Sequence, residues 1–437
     1  MRVPFYSFPK GLLMHPKMVA VTVLLLAMVT FIPGAASEAN VDRQPVDDPT
    51  APTSLALLPL IASSDFVYLG AFRAPYEDHA GNPLTWGGYA LAVNPSASTG
   101  ATSTGLFIGC HAWWQRLAEI AIPSAANLSA TAALRQDCTD VTEGRLDLVD
   151  DMPNLGGALV YGGRLIVSAY GYYDADVSQT RSHFASSMNL AQAGDVVGPE
   201  QVGEEAGIVA GYMTTIPEEW QASLGGPALT GQCCIPIISR TSAGPAASVF
   251  DPEDVGRRNP VPASPLLHYP LEHPLAPEDA QNNLFNLTTQ IVGMAFPPGS
   301  RSLLFVGRHG IGPYCYGTNE ECNDPVDPYK GPHAYPYVHQ VWAYDVLNLL
   351  AVKQGQLHPW EVQPYAVWQL TEMDAVGGAS IAGAAFDPDA GRLYITEQYG
   401  DEPVVHVYRI TAATPTSCQQ PMNDPGQHCL HLPLIAN

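Results

Sequence analysis

Charge is what this chain has least of. Asp, Glu, Lys and Arg make up 14% of its 437 residues, against about 25% in an ordinary soluble domain. Basic groups are the scarcest, with 19 Lys and Arg against 42 Asp and Glu, and lysine occurs only as Lys10, Lys17, Lys330 and Lys353. A formal net charge of −23 leaves no surface for tracking phosphates, which excludes nucleic acid as a partner class. Long apolar runs are also missing. The one near the N-terminus, residues 18–32, falls short of the roughly 20 residues that a membrane span needs. No C-x-x-C pair or Cys/His ligand spacing marks a zinc site, and no G-x-S-x-G elbow marks a serine hydrolase.

What is abundant excludes further classes. Hydrophobic residues reach 46%, too many for a chain that is disordered throughout. The 39 Gly and 40 Pro break long helices and favour short strands joined by turns, so a helical bundle is excluded. Arg2, Lys10 and Lys17, the apolar run and the small residues Gly34-Ala35-Ala36 predict a signal peptide over 1–36 and a secreted or cell-surface protein. Eight cysteines follow, and an even count in a secreted chain reads as disulfides. Cys315 with Cys322 and Cys418 with Cys429 are close enough to staple local loops. Cys233-Cys234 either bridge one another or pair separately with Cys110 and Cys138.

Internal repeats organise the rest. A small-apolar strand, a Pro- or Gly-marked turn, an apolar strand, a polar tip and a third strand recur. The clear copies are 88–95 with 105–111 and 116–122; 291–297 with 303–309 and 339–345; and 381–388 with 392–398 and 404–410. A fourth is 155–161 with 164–170, and a weaker fifth runs through 231–236, 237–241 and 247–250. Such units cannot bury both faces alone, and stacking them around an axis gives an all-β fold, a β-propeller of five blades, with six or seven as the rival if 171–230 hides another. Residues 265–271 and 364–370 fit outer strands, residues 217–224 fit a short helix, and 65–72 fits a strand that closes the ring on the last blade. The expected organisation is a signal peptide at 1–36, a flexible lead at 37–54, the propeller at 55–412 and a disulfide-containing tail at 413–437.

The repeats, above all Ile381-Ala-Gly-Ala-Ala-Phe-Asp-Pro-Asp-Ala-Gly-Arg-Leu-Tyr-Ile395, resemble the generic blades of secreted bacterial β-propeller proteins over most of 64–412. The resemblance implies architecture and no particular activity. In such a ring, equivalent loops open on one face, so residues in one repeat column should converge. The column ending the second strand holds His111, Tyr170, Thr241, His309 and Gln398; the one before it holds Cys110, Ala169, Arg240, Arg308 and Glu397.

From these columns His111, Tyr170, Arg240, Arg308, His309 and Glu397 are the expected catalytic set, since imidazole, phenol, guanidinium and carboxylate can bind a polar ligand and move protons. Thr241 and Gln398 are expected to bind the ligand. So are Trp113 and Trp114, and Tyr314, Tyr316, His333, Tyr335 and Tyr337 around the Cys315/Cys322 staple, because aromatic rings stack on sugar faces. The Tyr/His/Arg mixture resembles that of propeller polysaccharide lyases, which implies Arg neutralising a uronate carboxylate while His or Tyr removes and returns protons. The expected partner is an extracellular carbohydrate or other polyhydroxy ligand, bound and, if the site is catalytic, cleaved. The alternative is a non-catalytic recognition or assembly platform. No cofactor is expected; Ca²⁺ is the one ion that Asp174-x-Asp176 and Asp324-x-x-Asp327 suit. Asn127 and Asn286 sit in glycosylation patterns.

Overall fold

Short strands punctuated by turns pair, in order along the chain, into five antiparallel sheets of four strands each. The computed structural model describes residues 53–95, 104–124, 129–174, 178–234, 242–279, 281–373, 380–398 and 401–411. Blade 1 consists of Ala92–Asn94, Gly105–Gly109, Leu117–Ala121 and Leu134–Thr139. Blade 2 consists of Pro153–Tyr161, Arg164–Gly171, His183–Ser187 and Val197–Glu200. Blade 3 is Met213–Thr215, Ala228–Thr230, Ala247–Phe250 and Ala263–Leu267, and blade 4 is Gln290–Ala295, Ser302–Gly310, Tyr337–Asp345 and Ala366–Gln369. Blade 5 joins Ser380–Asp387, Arg392–Gln398 and Val404–Ile410 to Phe66–Arg73. The first strand of each blade neighbours the first strand of the next, and blade 5 meets blade 1, so the ring is closed.

The expected closing strand is the one found. Phe66–Arg73 runs antiparallel to Val404–Ile410, with Phe66 opposite Ile410 and Arg73 opposite Val404. Turn chemistry sets the hairpins: Tyr161 pairs with Arg164 across Gly162-Gly163, both at positive φ, the mirror-image two-residue turn that matches strand twist. The core is a set of five apolar layers, one between each pair of neighbouring blades. Leu304, Val306 and Ile395 fill the layer between blades 4 and 5, for example, and Ile166, Ala185 and Phe250 that between blades 2 and 3.

Two expectations are corrected. Residues 171–230 hide no further blade; they hold the last two strands of blade 2, the helix Glu218–Leu224 and the first two strands of blade 3. The first two strands of blade 3 therefore precede the apolar 231–241 segment that the weak repeat was built on. They are three residues each, Met-Thr-Thr and Ala-Leu-Thr, too short and polar to show a strand period. Cys110 bonds Cys138, Cys233 bonds Cys234 and Cys315 bonds Cys322. Cys418 and Cys429 lie outside the described residues, as do 1–52.

Near the axis neighbouring backbones approach closely, and glycine makes this feasible. A Cβ on Gly383 would sit 2.6 Å from the Gly88 carbonyl oxygen, and one on Gly293 would sit 2.5 Å from the Ala384 Cβ. Hydroxyls lock the same contacts: Thr396 Oγ1 donates to the Gly88 carbonyl and Ser168 Oγ to the Gly211 carbonyl, each at 2.5 Å. Gly383→Val is expected to cost about 1–3 kcal/mol through overpacking. Gly331→Ala, which meets nothing within 4 Å, should stay within about 0.5 kcal/mol of wild type in the same urea titration. Equal midpoints for the two variants would contradict the close approach.

Candidate functional site

On the face where first strands begin and second strands end, a cavity of about 300 Å³ opens on the axis, within the size range of ligand pockets. Its polar lining comprises Tyr89, Tyr170 and Tyr172, and the amides of Gln115, Asn154, Gln290 and Gln398. Its apolar lining includes Leu155, Ile291, Val292, Ile381 and the bonded pair Cys233 and Cys234. No Asp, Glu, Lys, Arg or His is among these lining residues. Burial pushes the Tyr170 phenol up to about 12, and the Tyr172 phenol is raised by burial and then by the Asp327 carboxylate. The described lining residues carry no charge at neutral pH.

Its polar groups are held in place. Gln115 Nε2 donates to Asn154 Oδ1 at 3.0 Å while Gln115 Oε1 accepts from the Leu155 N–H at 2.6 Å. Asn154 Nδ2 donates to the Met152 carbonyl, Gln398 Nε2 to the Trp86 carbonyl, and the Tyr89 hydroxyl to the Arg116 carbonyl. Backbone strain gathers in the same place. Seven described residues other than glycine have left-handed φ: Trp86, Ala90, Gln115, Glu143, Met152, Cys234 and Asn323. Gln115 and Cys234 line the cavity, Trp86 and Met152 supply the carbonyls just named, and Ala90 follows Tyr89. Such conformations are unfavourable for residues with a Cβ and cluster at functional sites. The opposite mouth of the axis, about 200 Å³, is mostly apolar and lies among Leu91, Val93, Leu159, Met213 and Phe386. Of its two carboxylates, Asp387 caps its own turn by accepting from the Asp389 and Ala390 N–H groups.

The expected site residues divide. Tyr170 and Gln398 line the cavity. His111, Trp113 and Trp114 form a patch at its edge, with the His111 ring 5.2 and 5.7 Å from the two indoles and Arg116 stacked 5.9 Å over Trp114. Trp113 is 88% exposed, and Ala112 and Gln115 of the same loop reach the cavity. Arg240 and Thr241 lie outside the described residues.

His309 does not join the others. It is fully buried, with Nε2 donating to the Asn282 carbonyl at 2.7 Å and Nδ1 2.8 Å from the Thr289 hydroxyl. The strand pairing explains this. Asn154 faces Tyr170, Gln290 faces Arg308 and Ser380 faces Gln398, so the blade 4 member of the column is Arg308 and the sequence alignment is one residue out of register. A one-residue slip turns a side chain to the other face of its sheet. In blade 3, Cys233 and Cys234, just past the second strand Ala228–Thr230, line the cavity.

Arg308 stacks 4.4 Å over Tyr337, with burial lowering its pKa against the pull of Tyr337, Asp327 and Asp324. Glu397 points between blades 4 and 5, where its carboxylate lies 3.1 Å from His406 Nε2 and 3.4 Å from His339 Nδ1; the Tyr68 hydroxyl reaches His406 Nδ1 at 3.0 Å. In the blade 4 loop, His333 and Tyr337 turn inward onto Asp324 at 2.8 and 2.5 Å, Tyr314 and Tyr335 are half-buried, and Tyr316 is exposed. Burial alone would raise the Asp324 carboxyl, but its hydrogen bonds from Tyr337, His333, Val326 and Asp327 bring it below its usual value. Asp174 accepts from the Ser178 and Gln179 N–H groups, and Asp176 lies outside the described residues. No group of three His, Cys, Asp or Glu fit for a metal ion occurs among the described residues. Asn286 is buried against the Gly310 carbonyl, closed to a glycan.

Sequence reasoning missed Tyr89, Gln115, Asn154, Tyr172, Gln290 and the cysteine pair. A signal for two of them was present: the residue immediately before each small-apolar strand, Asn154, Gln290 and Ser380, is polar in three repeats.

The fold is that of a five-bladed β-propeller. Among solved structures the chain is similar to a glycosyl hydrolase from Bacteroides ovatus, at 10% identity over 82% of this chain and 92% of that one, TM-score 0.37. A candidate glycosidase from Bacteroides thetaiotaomicron matches at 10% identity over 82% and 95%, TM-score 0.37. Neither likeness is close enough to carry chemistry to this chain. No protein-family model and no curated protein matches it.

Proposed function

We propose that the axial cavity binds a neutral carbohydrate outside the cell, without cleaving it. One observation carries the reading: among the described residues, every polar side chain lining the cavity is an uncharged amide or phenol. Hydroxyl groups need donors and acceptors in alternation, which amides and phenols supply. A uronate would need a cation, and none is found among the described lining residues. Hydrolysis needs two carboxylates across the scissile bond, whereas Glu397 is buried between blades. Exposed aromatics support the reading. Trp113, Trp114, Tyr173, Tyr316 and Tyr329 all follow second strands, and Trp86 precedes a first strand, so they share this face. The signal-like N-terminus and the disulfides support export. No helix among the described residues is long and apolar enough to cross a membrane.

The test is calorimetric titration of residues 37–437 with cello-, malto- and xylo-oligosaccharides against oligogalacturonate, with reducing ends and unsaturated products followed in parallel. Neutral sugars should bind with no new ends. Tyr170→Ala and Gln398→Ala should each weaken binding about tenfold, the value of one hydrogen bond of about 1.4 kcal/mol. Wild-type affinity in both variants would move the site off the axis, and no binding to any neutral glycan would favour the recognition platform, with the exposed Trp113 patch as its contact.

A further inference from the structure

A pair of bonded neighbours, Cys233 and Cys234, is part of the cavity lining. Cys110–Cys138 and Cys315–Cys322 span 28 and 7 residues, but Cys233–Cys234 joins neighbours. A bridge between adjacent residues closes no loop, so the chain-entropy contribution that explains the other two is absent. The bond also goes with a left-handed backbone at Cys234, φ 72°, which a side chain disfavours. Yet both cysteines are buried and line the axial cavity together with Tyr170 and Gln398. Both belong to the apolar cluster between blades 3 and 4 that also holds Tyr212, Ile291 and Phe305.

The remaining described lining divides between hydrogen-bonding groups, four amides and three phenols, and the aliphatic side chains of Ala112, Leu155, Ile291, Val292, Ile381 and Ala382. A pyranose ring presents hydroxyls around its edge and C–H groups on its faces, and so needs a polar rim and one firm apolar plate. The Tyr89 hydroxyl is committed to the Arg116 carbonyl, and the exposed indoles stand at the mouth. Sulfur is polarisable and packs well against apolar groups. We propose that the Cys233–Cys234 disulfide is the plate on which the C–H face of a neutral pyranose stacks, so that binding requires the intact bond. This rests on the axial cavity being a neutral-carbohydrate site.

The experiment titrates cellobiose, maltose and xylobiose into the full mature chain and into C233S/C234S. A companion variant, C233S/C234G, gives the left-handed backbone a residue that accepts it. Wild type should bind at least one disaccharide, and both variants should lose at least tenfold for it while keeping the wild-type circular dichroism spectrum. Binding within twofold of wild type in a folded variant overturns the sulfur plate and leaves the carbohydrate site standing. If wild type binds none of the three, nor any other neutral glycan, both readings fall together. Should neither variant fold, a crystal of the wild-type protein soaked in the bound disaccharide decides: ring carbons within about 4 Å of both sulfurs uphold the plate, and a ring lying elsewhere in the cavity overturns it.

Discussion

Lowering the pH from 6.5 to 3 is expected to remove about 5 kcal/mol of stability through His183 alone, at about 1.4 kcal/mol per pH unit. This imidazole lies in the third strand of blade 2, fully buried, and burial pulls its pKa down to about 3. Its hydrogen bonds fix one neutral form. Thr230 Oγ1 donates to the Val209 carbonyl, so it accepts from His183 Nε2 at 3.1 Å, and Nδ1 accepts from the Ser182 hydroxyl at 2.8 Å. The unfolded chain takes up a proton below about pH 6.5 that the folded chain refuses until about pH 3, so the loss falls within that window. His309 and His268 shift in the same direction, each chiefly through burial.

His333 opposes them: burial would lower it, but Asp324 and the Tyr329 carbonyl raise it. Its contribution is therefore present below the usual histidine value and lost as pH rises through the raised one. Urea unfolding at a series of pH values checks the balance. His183→Gln, which keeps a donor and an acceptor, should flatten the acid limb, and an acid limb as steep as wild type in that variant would assign the loss to other groups.

Glu397→Ala should cost about 3–5 kcal/mol, the usual penalty for removing one partner of a buried ionic group. The carboxylate, 1% exposed, lies between His339 of blade 4 and His406 of blade 5, and His406 continues to Tyr68 on the closing strand. Removing it takes the shared carboxylate from two imidazoles in the layer that seals the last blade to its neighbour. Glu397→Gln keeps the shape and part of the hydrogen bonding and should cost less. Tyr68→Phe, which loses only the hydroxyl, should cost about 1 kcal/mol. Thermal melts rank the three variants. A Glu397→Ala cost as small as that of Tyr68→Phe would show that the histidines do not depend on the carboxylate.

Blades 1, 2, 4 and 5 were legible because their second strands are apolar runs bounded by Gly and Pro, such as 392–398 after Pro388-Asp389-Ala390-Gly391. Blade 3 was obscured by an apolar segment beside strands of only three residues. The site was harder, because convergence depends on alternation at a strand's last residues. Arg308 and His309 are neighbours in sequence, yet one carries the ring column and the other is sealed against Asn282 and Trp342. No composition rule distinguishes them; the pairing of Gln290 with Arg308 does. The vicinal bond was left open for a similar reason, since spacing allows several pairings and only the three-dimensional neighbours decide.

Blade 5 is assembled from both ends of the propeller, with Phe66 opposite Ile410. The seam between first and last strands is thus an ordinary antiparallel pair, similar in kind to the pairs within other blades. A ring closed this way has no energetic beginning. Joining the two ends across blade 5 and opening the chain between any other two blades would preserve every strand pair, so gene order and fold are separable here and the protein is a natural candidate for circular permutation.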